Sequence, residues 1–107
     1  MPHSAIERQF PRALSVSVTP EMLEVALDDG RVIPAPLAWF PRLLHGTGQE
    51  RSRSRLIGNG EGLHWPDLDE DVSVDALLAG RPSAESAASL KRWLAGRQGA
   101  SKEKAAL

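Results

Sequence analysis

A chain of 107 residues, 41% hydrophobic and 25% charged, is the size and composition of one small globular domain with a modest core. The absence of cysteine excludes a disulfide framework and thiolate chemistry, and no run approaches the ~18 apolar residues of a membrane span. The formal net charge of −1 conceals a pattern: residues 61–75 hold six acids and no base, and the flanking stretches 41–60 and 76–107 are basic. Alternating sign argues against nucleic-acid binding by the whole domain, which needs a concentrated basic face, and suits a charge-complementary protein partner.

Residues 1–12 are expected to form a flexible N-terminus. Their sequence, MPHSAIERQFPR, has no apolar stretch of signal-peptide length, so a cytoplasmic location is expected. From residue 13 the period is two. Leu14, Val16 and Val18 share one face of a strand, and Leu23, Val25 and Leu27 share one face of the next. Asp28-Asp29-Gly30 supplies a hairpin turn, because Asp-Gly tolerates the positive φ such turns need. Val32-Ile33 resumes an extended segment, which Pro34 and Pro36 confine to an edge. The prediction is a three-stranded antiparallel meander with all six alternating residues buried.

At Leu37-Ala-Trp-Phe-Pro-Arg-Leu-Leu-His45 the period changes to that of a helix. Pro41 belongs in a first turn, so the helix is expected to begin near Trp39 and to end at Gly46. Thr47-Gly-Gln-Glu50 has capping-box spacing and predicts a short helix over 49–54. Arg55-Leu-Ile57 and Gly62-Leu-His-Trp65 read as short strands about a turn at Gly58-Asn59-Gly60. Asp67–Asp71 reads as an acidic loop. Ser73 is an N-cap and Gly80 a stop for a helix over 74–79. Beyond Pro82 an alanine- and serine-rich helix over 83–94, carrying Leu90, Trp93 and Leu94, is expected to end at Gly96, with a frayed tail over 100–107.

DDGRVIPAPLAWFPRLL at 28–44, followed by RLIGNGEGLHWPDLDEDVSVDALLAG at 55–80, resembles domain-of-unknown-function family 2442, a family of small bacterial and phage proteins. The most specific part is the ordered series D-G-R, P-L-x-W-F-P-R-L and G-x-H-W-P-x-x-D-E-D. The resemblance covers about residues 13–80 and implies a small α+β domain with an antiparallel sheet and short helices. It implies no known activity. It does imply a genomic neighbour, a protein of domain-of-unknown-function family 4160, and hence a toxin–antitoxin-like operon pair. Some relatives carry a helix-turn-helix behind this module, but residues 81–107 show no recognition-helix pattern.

His64 with Asp67, Asp69 and Asp71 is the one cluster whose residue types could bind a metal. Metals need three or four converging ligands, and the spacing here matches no calcium loop, so no metal and no cofactor are expected. The bland reading places His64 on a strand and the acids, Glu70 among them, on a solvated loop before a helix N-terminus. Trp39 and Trp65 are each closely followed by proline. They read first as core aromatics and second as interface anchors, a role tryptophan often fills. Arg42 is expected to pair with an acid of 67–71. Arg51, Arg53 and Arg55 form either a solvated face or a phosphate-contacting patch. No catalytic motif is present, so catalysis is not expected.

The leading expectation is a non-catalytic protein-interaction module that meets a basic partner through Trp39, Arg42, His64, Trp65, Asp67, Asp69, Glu70 and Asp71. The alternative is a nucleic-acid-binding regulator using the three arginines and the basic tail. A metal-dependent enzyme centred on His64 comes third. A homo-oligomer is compatible with all of these.

Overall fold

The computed structural model describes residues 10–106, with side chains through Arg97; the expectation of a flexible N-terminus thus falls mostly outside the described residues. Two three-stranded antiparallel sheets form the body, in orders β1-β2-β3 and β4-β5-β6. The first comprises β1 (Ala13–Val18), β2 (Met22–Leu27) and β3 (Val32–Pro36). The second comprises β4 (Arg55–Ile57), β5 (Gly62–Trp65) and β6 (Glu70–Ser73). Short helices α1 (Pro41–Leu44) and α2 (Gly48–Ser52) connect the sheets. Helices α3 (Val74–Leu78) and α4 (Ala87–Ala106) follow them. The α+β class read from the sequence holds.

The predicted meander forms, with one correction. Ala13 pairs with Leu27, but Ser15 pairs with Ala26, so β1 carries a bulge at Leu14. A bulge adds one residue and reverses the side-chain alternation on either side of it. Ala13 therefore turns inward, and Leu14 is 63% exposed rather than buried. Val16 and Val18 keep their inward face but are only partly buried. Leu23, Val25 and Leu27 lie in the core as expected.

The edge strand β3 is guarded by its prolines. Leu27 N–H donates to the Arg31 carbonyl, and Leu37 N–H to the Glu21 carbonyl. The antiparallel register between those bonds directs the amides of Ile33 and Ala35 toward β2 and those of residues 32, 34 and 36 outward. Two of those three outward positions are proline, which has no N–H to offer another strand.

The helix expected from Trp39 divides in two. A 3₁₀ turn spans Leu37–Trp39, Phe40 breaks it with φ −126° and ψ 84°, and α1 starts with Pro41 in its first turn. Proline disfavours the helical region for the residue before it, which places the break at Phe40. The capping box at Thr47 and Glu50 forms as read.

A larger difference is β6. Residues expected to be acidic loop, Glu70 and Asp71, pair with Trp65 and His64 of β5. The pleat sends Leu63, Trp65 and Val72 into the core, where they meet Leu37, Phe40, Leu43, Leu68, Val74 and Leu77. Each large side chain so buried contributes roughly 1.5–3 kcal/mol. Gly96 does not end the last helix, which continues to Ala106. A glycine inside an exposed helix costs about 1 kcal/mol, and anchoring of the next residue, Arg97, by Glu50 offsets part of that cost.

Val25→Asp is expected to abolish cooperative unfolding, since an unpaired charge would replace a fully buried β2 side chain, at a cost of ~4 kcal/mol or more. Leu14→Ser, which the alternation alone would make equally harmful, is expected to shift the melting temperature little. Circular-dichroism melts at low micromolar concentration distinguish the two.

Candidate functional site

The hairpin joining β5 to β6 carries the acidic cluster and is rigidly supported. The Leu68 amide donates to the Trp65 carbonyl at 3.2 Å and the Asp69 amide to the Pro66 carbonyl at 3.4 Å. Leu68 itself is fully buried. It packs against Gly46, where a Cβ would come within 2.8 Å of its Cδ1, so a side chain at residue 46 would have to displace the tip of the buried Leu68. The hairpin is thus an acidic tip pinned by one apolar residue, the leucine between Asp67 and Asp69.

The acids of the tip have intramolecular partners drawn from elsewhere in the chain. Arg53 reaches Asp67 at 3.4 Å. Arg42 donates to the Asp69 carbonyl at 3.2 Å and stands 3.5 Å from its carboxylate. His64 Nδ1 meets Asp71 across the strand pair at 2.5 Å. Glu70 lies on the inward side of β6, opposite Trp65, and is half-buried. Its Oε1 accepts from the Asp71 amide at 3.1 Å, and its Oε2 is buried without a hydrogen-bond partner. Burial raises the Glu70 pKa, against the Asp71 amide bond and the nearby Arg42 charge, which lower it. Asp69 is 87% exposed and Asp71 68% exposed.

Arg42 does more than the expected pairing with the tip. Its main partner is Glu85, which it grips with two bonds of 2.5 and 3.1 Å, and Ser89 also donates to that carboxylate. Both bonds hold the Glu85 carboxyl below its ordinary pKa, and the same contact raises that of Arg42. The Arg42 guanidinium lies 5.2 Å from the Trp93 ring centroid and that of Arg97 4.7 Å from it. Arg97 in turn bonds Glu50 at 2.8 and 3.0 Å. Two arginine–glutamate forks and one shared indole therefore clasp α4 to the domain. Glu85, Trp93 and Arg97 were not singled out in the sequence as belonging to any site; the lone acid of the otherwise basic stretch 81–102 was the available signal.

The other candidates separate. Trp65 is fully buried with its indole N–H donating to the Arg51 carbonyl at 2.9 Å, so it is a core residue with no face to offer a partner. Trp39 is half-buried, packed against the core beneath residue 83, whose amide bonds the Trp39 carbonyl. The three arginines do not act as one patch. Arg51 caps the end of α1 by donating to the Leu43 and Leu44 carbonyls at 2.8 and 2.7 Å. Arg53 serves Asp67, and Arg55 lies exposed on β4 beside His64. Among the described residues, no three His, Asp or Glu side chains are arranged to hold a metal ion, and no helix is long and apolar enough to cross a membrane.

Two small antiparallel sheets, the W-F-P-R-L turn into α1 and the pinned acidic hairpin define a small α+β module. The chain belongs to the family described as "Protein of unknown function (DUF2442)", whose model matches residues 13–83. Helix α4 lies beyond the matched segment. A crystal structure of a protein of unknown function from Rhodospirillum rubrum is similar at 26% identity and a TM-score of 0.63, over 72% of this chain and 95% of that one. A solution structure of an uncharacterized protein from Chromobacterium violaceum is similar at 21% identity and the same TM-score, over 90% of this chain and 84% of that one. It shares the fold. No curated protein matches.

The α4 clasp has a pH signature. Arg97 and the Thr47 amide hold the Glu50 carboxyl down at about 2. A lowered carboxylate stabilises the fold above the unfolded value, roughly 4.3, and that contribution disappears as pH falls through about 2. Glu50→Gln preserves the capping box, which accepts glutamine, and removes only the charge. The variant is expected to be less stable than the parent by ~1 kcal/mol at neutral pH, with the difference vanishing between pH 5 and 2, as read by urea denaturation across that range.

Proposed function

We propose that this chain is a non-catalytic protein-interaction module, the antitoxin-like or regulatory half of a small operon pair, and that its acidic hairpin docks on a basic partner protein. The observation that carries this reading is Asp69. It holds a left-handed backbone, φ 49°, at the exposed tip, where glycine would avoid the ~1 kcal/mol strain that a side chain incurs. The carboxylate at that position is 87% exposed on a hairpin already fixed by Leu68 and by the Arg42 bond to the Asp69 carbonyl. A preorganised tip loses little freedom on binding.

The internal pairings reduce the negative charge of the hairpin without removing it. The Arg53–Asp67 and Arg42–Asp69 contacts are long and partly exposed, a class worth about 0–1 kcal/mol, and they leave carboxylate lone pairs for a second cation. The resemblance points to the product of the neighbouring gene, of domain-of-unknown-function family 4160, as the protein to test. Docking an acidic tip on a basic surface would both steer association and keep nucleic acid off that surface.

Asp67→Asn with Asp69→Gly is expected to leave the melting temperature within about 2 °C of the parent, the loss of a weak ion pair offsetting the relief of strain. It is expected to slow association with the neighbouring gene product about tenfold at low salt and to flatten the salt dependence of the on-rate in stopped-flow measurements. Arg55→Gln is expected to change that rate little. Loss of binding in the arginine variant, with full binding in the aspartate variant, would reverse the assignment in favour of a basic recognition surface.

A further inference from the structure

Helix α4 is attached to the domain mainly by polar contacts. Through Arg97, where its side chains are described, none of its residues is buried, Leu90 and Leu94 included. Its hold consists of the two arginine–glutamate forks and the half-buried Trp93 ring that lies near both guanidiniums. The helix also lies beyond residue 83, where the match to the family ends. An element held this way opens locally without unfolding the core, because few buried apolar contacts have to be given up.

One of the two forks shares its arginine with the acidic hairpin. Arg42 Nε and Nη2 both donate to Glu85, at 2.5 and 3.1 Å. Nη1 is the atom that meets the hairpin, donating to the Asp69 carbonyl at 3.2 Å and standing 3.5 Å from the Asp69 carboxylate. A guanidinium pairs most strongly with a carboxylate that takes two of its N–H groups at once. Glu85 has that geometry and Asp69 does not. Glu85 immediately precedes α4 and is held by Ser89 of the helix, which donates to its carboxylate. The Glu70 carboxyl, whose pKa is raised mainly by burial, also feels the Arg42 charge lowering it and the Glu85 charge raising it. The fork is therefore within electrostatic reach of the hairpin, and two carboxylates, Glu85 and Asp69, compete for one cation.

We propose that α4 is a releasable strap that regulates the acidic hairpin through Arg42. Docked, it holds Arg42 on Glu85, which leaves the Asp69 carboxylate open to a second cation while the Asp69 carbonyl stays fixed. Released, it takes Glu85 away, and Arg42 closes on the Asp69 carboxylate. The inference rests on the reading of the hairpin as the docking element and gives that element an off state. Coupling between two sites is reciprocal, so a basic partner seated on Asp69 keeps Arg42 on Glu85 and thereby keeps α4 on the domain.

Nuclear magnetic resonance of the full chain at neutral pH tests the inference in two variants, Glu85→Gln and Arg97→Gln. Arg97 bonds Glu50 and lies near Trp93 rather than any hairpin residue, so its replacement reaches Asp69 through release of α4. Arg97→Gln is expected to speed amide exchange at Leu90 and Leu94 about tenfold, with the β2 amides unchanged. It is expected to move the Asp69 carboxyl resonance in the same direction as Glu85→Gln does, and to slow association with the neighbouring gene product about threefold. Faster exchange in α4 with an unmoved Asp69 resonance overturns the inference, as does unchanged α4 exchange in both variants. An unchanged association rate, where the parent chain binds, overturns it too. A moved resonance in a chain whose parent does not bind the neighbouring gene product upholds the Arg42 coupling and overturns the docking reading instead.

Discussion

The burial of Trp65 organises this molecule. Its ring fills the centre of the core, and burying an indole N–H without a partner would cost ~1–3 kcal/mol. The Arg51 carbonyl meets that demand. The Arg51 side chain then turns back to the last carbonyls of α1. One buried ring and one arginine therefore join β5, α2 and α1. Because Trp65 opens the acidic hairpin, the same constraint sets where the carboxylates emerge.

Arg42 performs a comparable task at the surface. It is rooted in α1, touches the hairpin carbonyl at Asp69, grips Glu85 and stacks near Trp93. Arginine suits this position because its planar fork can satisfy a carboxylate with two bonds while its face lies against an aromatic ring. Lysine could supply the charge but not both geometries. The clasp that results is polar and partly exposed, while the hairpin is held by an apolar plug, Leu68, in addition to its contacts with Arg42 and Arg53. The two attachments therefore respond to different conditions. Salt and acid weaken the hold on α4, whereas the Leu68 plug depends on packing.

The surface divides by chemistry. Prolines close one sheet edge, the clasp ties α4 to α1, carboxylates project at the hairpin, and Phe10, Leu14, Leu56 and Ile57 are exposed on or beside β1 and β4. Arg42 belongs to both the clasp and the hairpin, so substitutions there couple the two, whereas sites more than about 7–10 Å apart with no shared partner are expected to act independently.

Local rules were sufficient for much of the chain. Alternation marked β2, Asp-Gly marked the first hairpin, the Thr47–Glu50 spacing marked a capped helix, Ser73 and Gly80 bounded α3, and the ordered motifs pointed to the family. All of these depend on neighbours within a few residues. What the sequence alone did not determine were the features that depend on distant partners. The bulge at Leu14 reversed a face that alternation assigned to the core. β6 became a strand because β5 stood beside it, although its own residues read as acidic loop. The charge count over 61–75 showed six acids without a base because Arg42 and Arg53 lie outside that window and reach the hairpin only when the chain folds. Arg51, Arg53 and Arg55 looked like one patch along the chain, but helix, loop and strand turned them toward three different environments. Hydrophobic period and turn chemistry are local properties; ion pairing, strand pairing and burial are sums over space, and only the tertiary structure decides them.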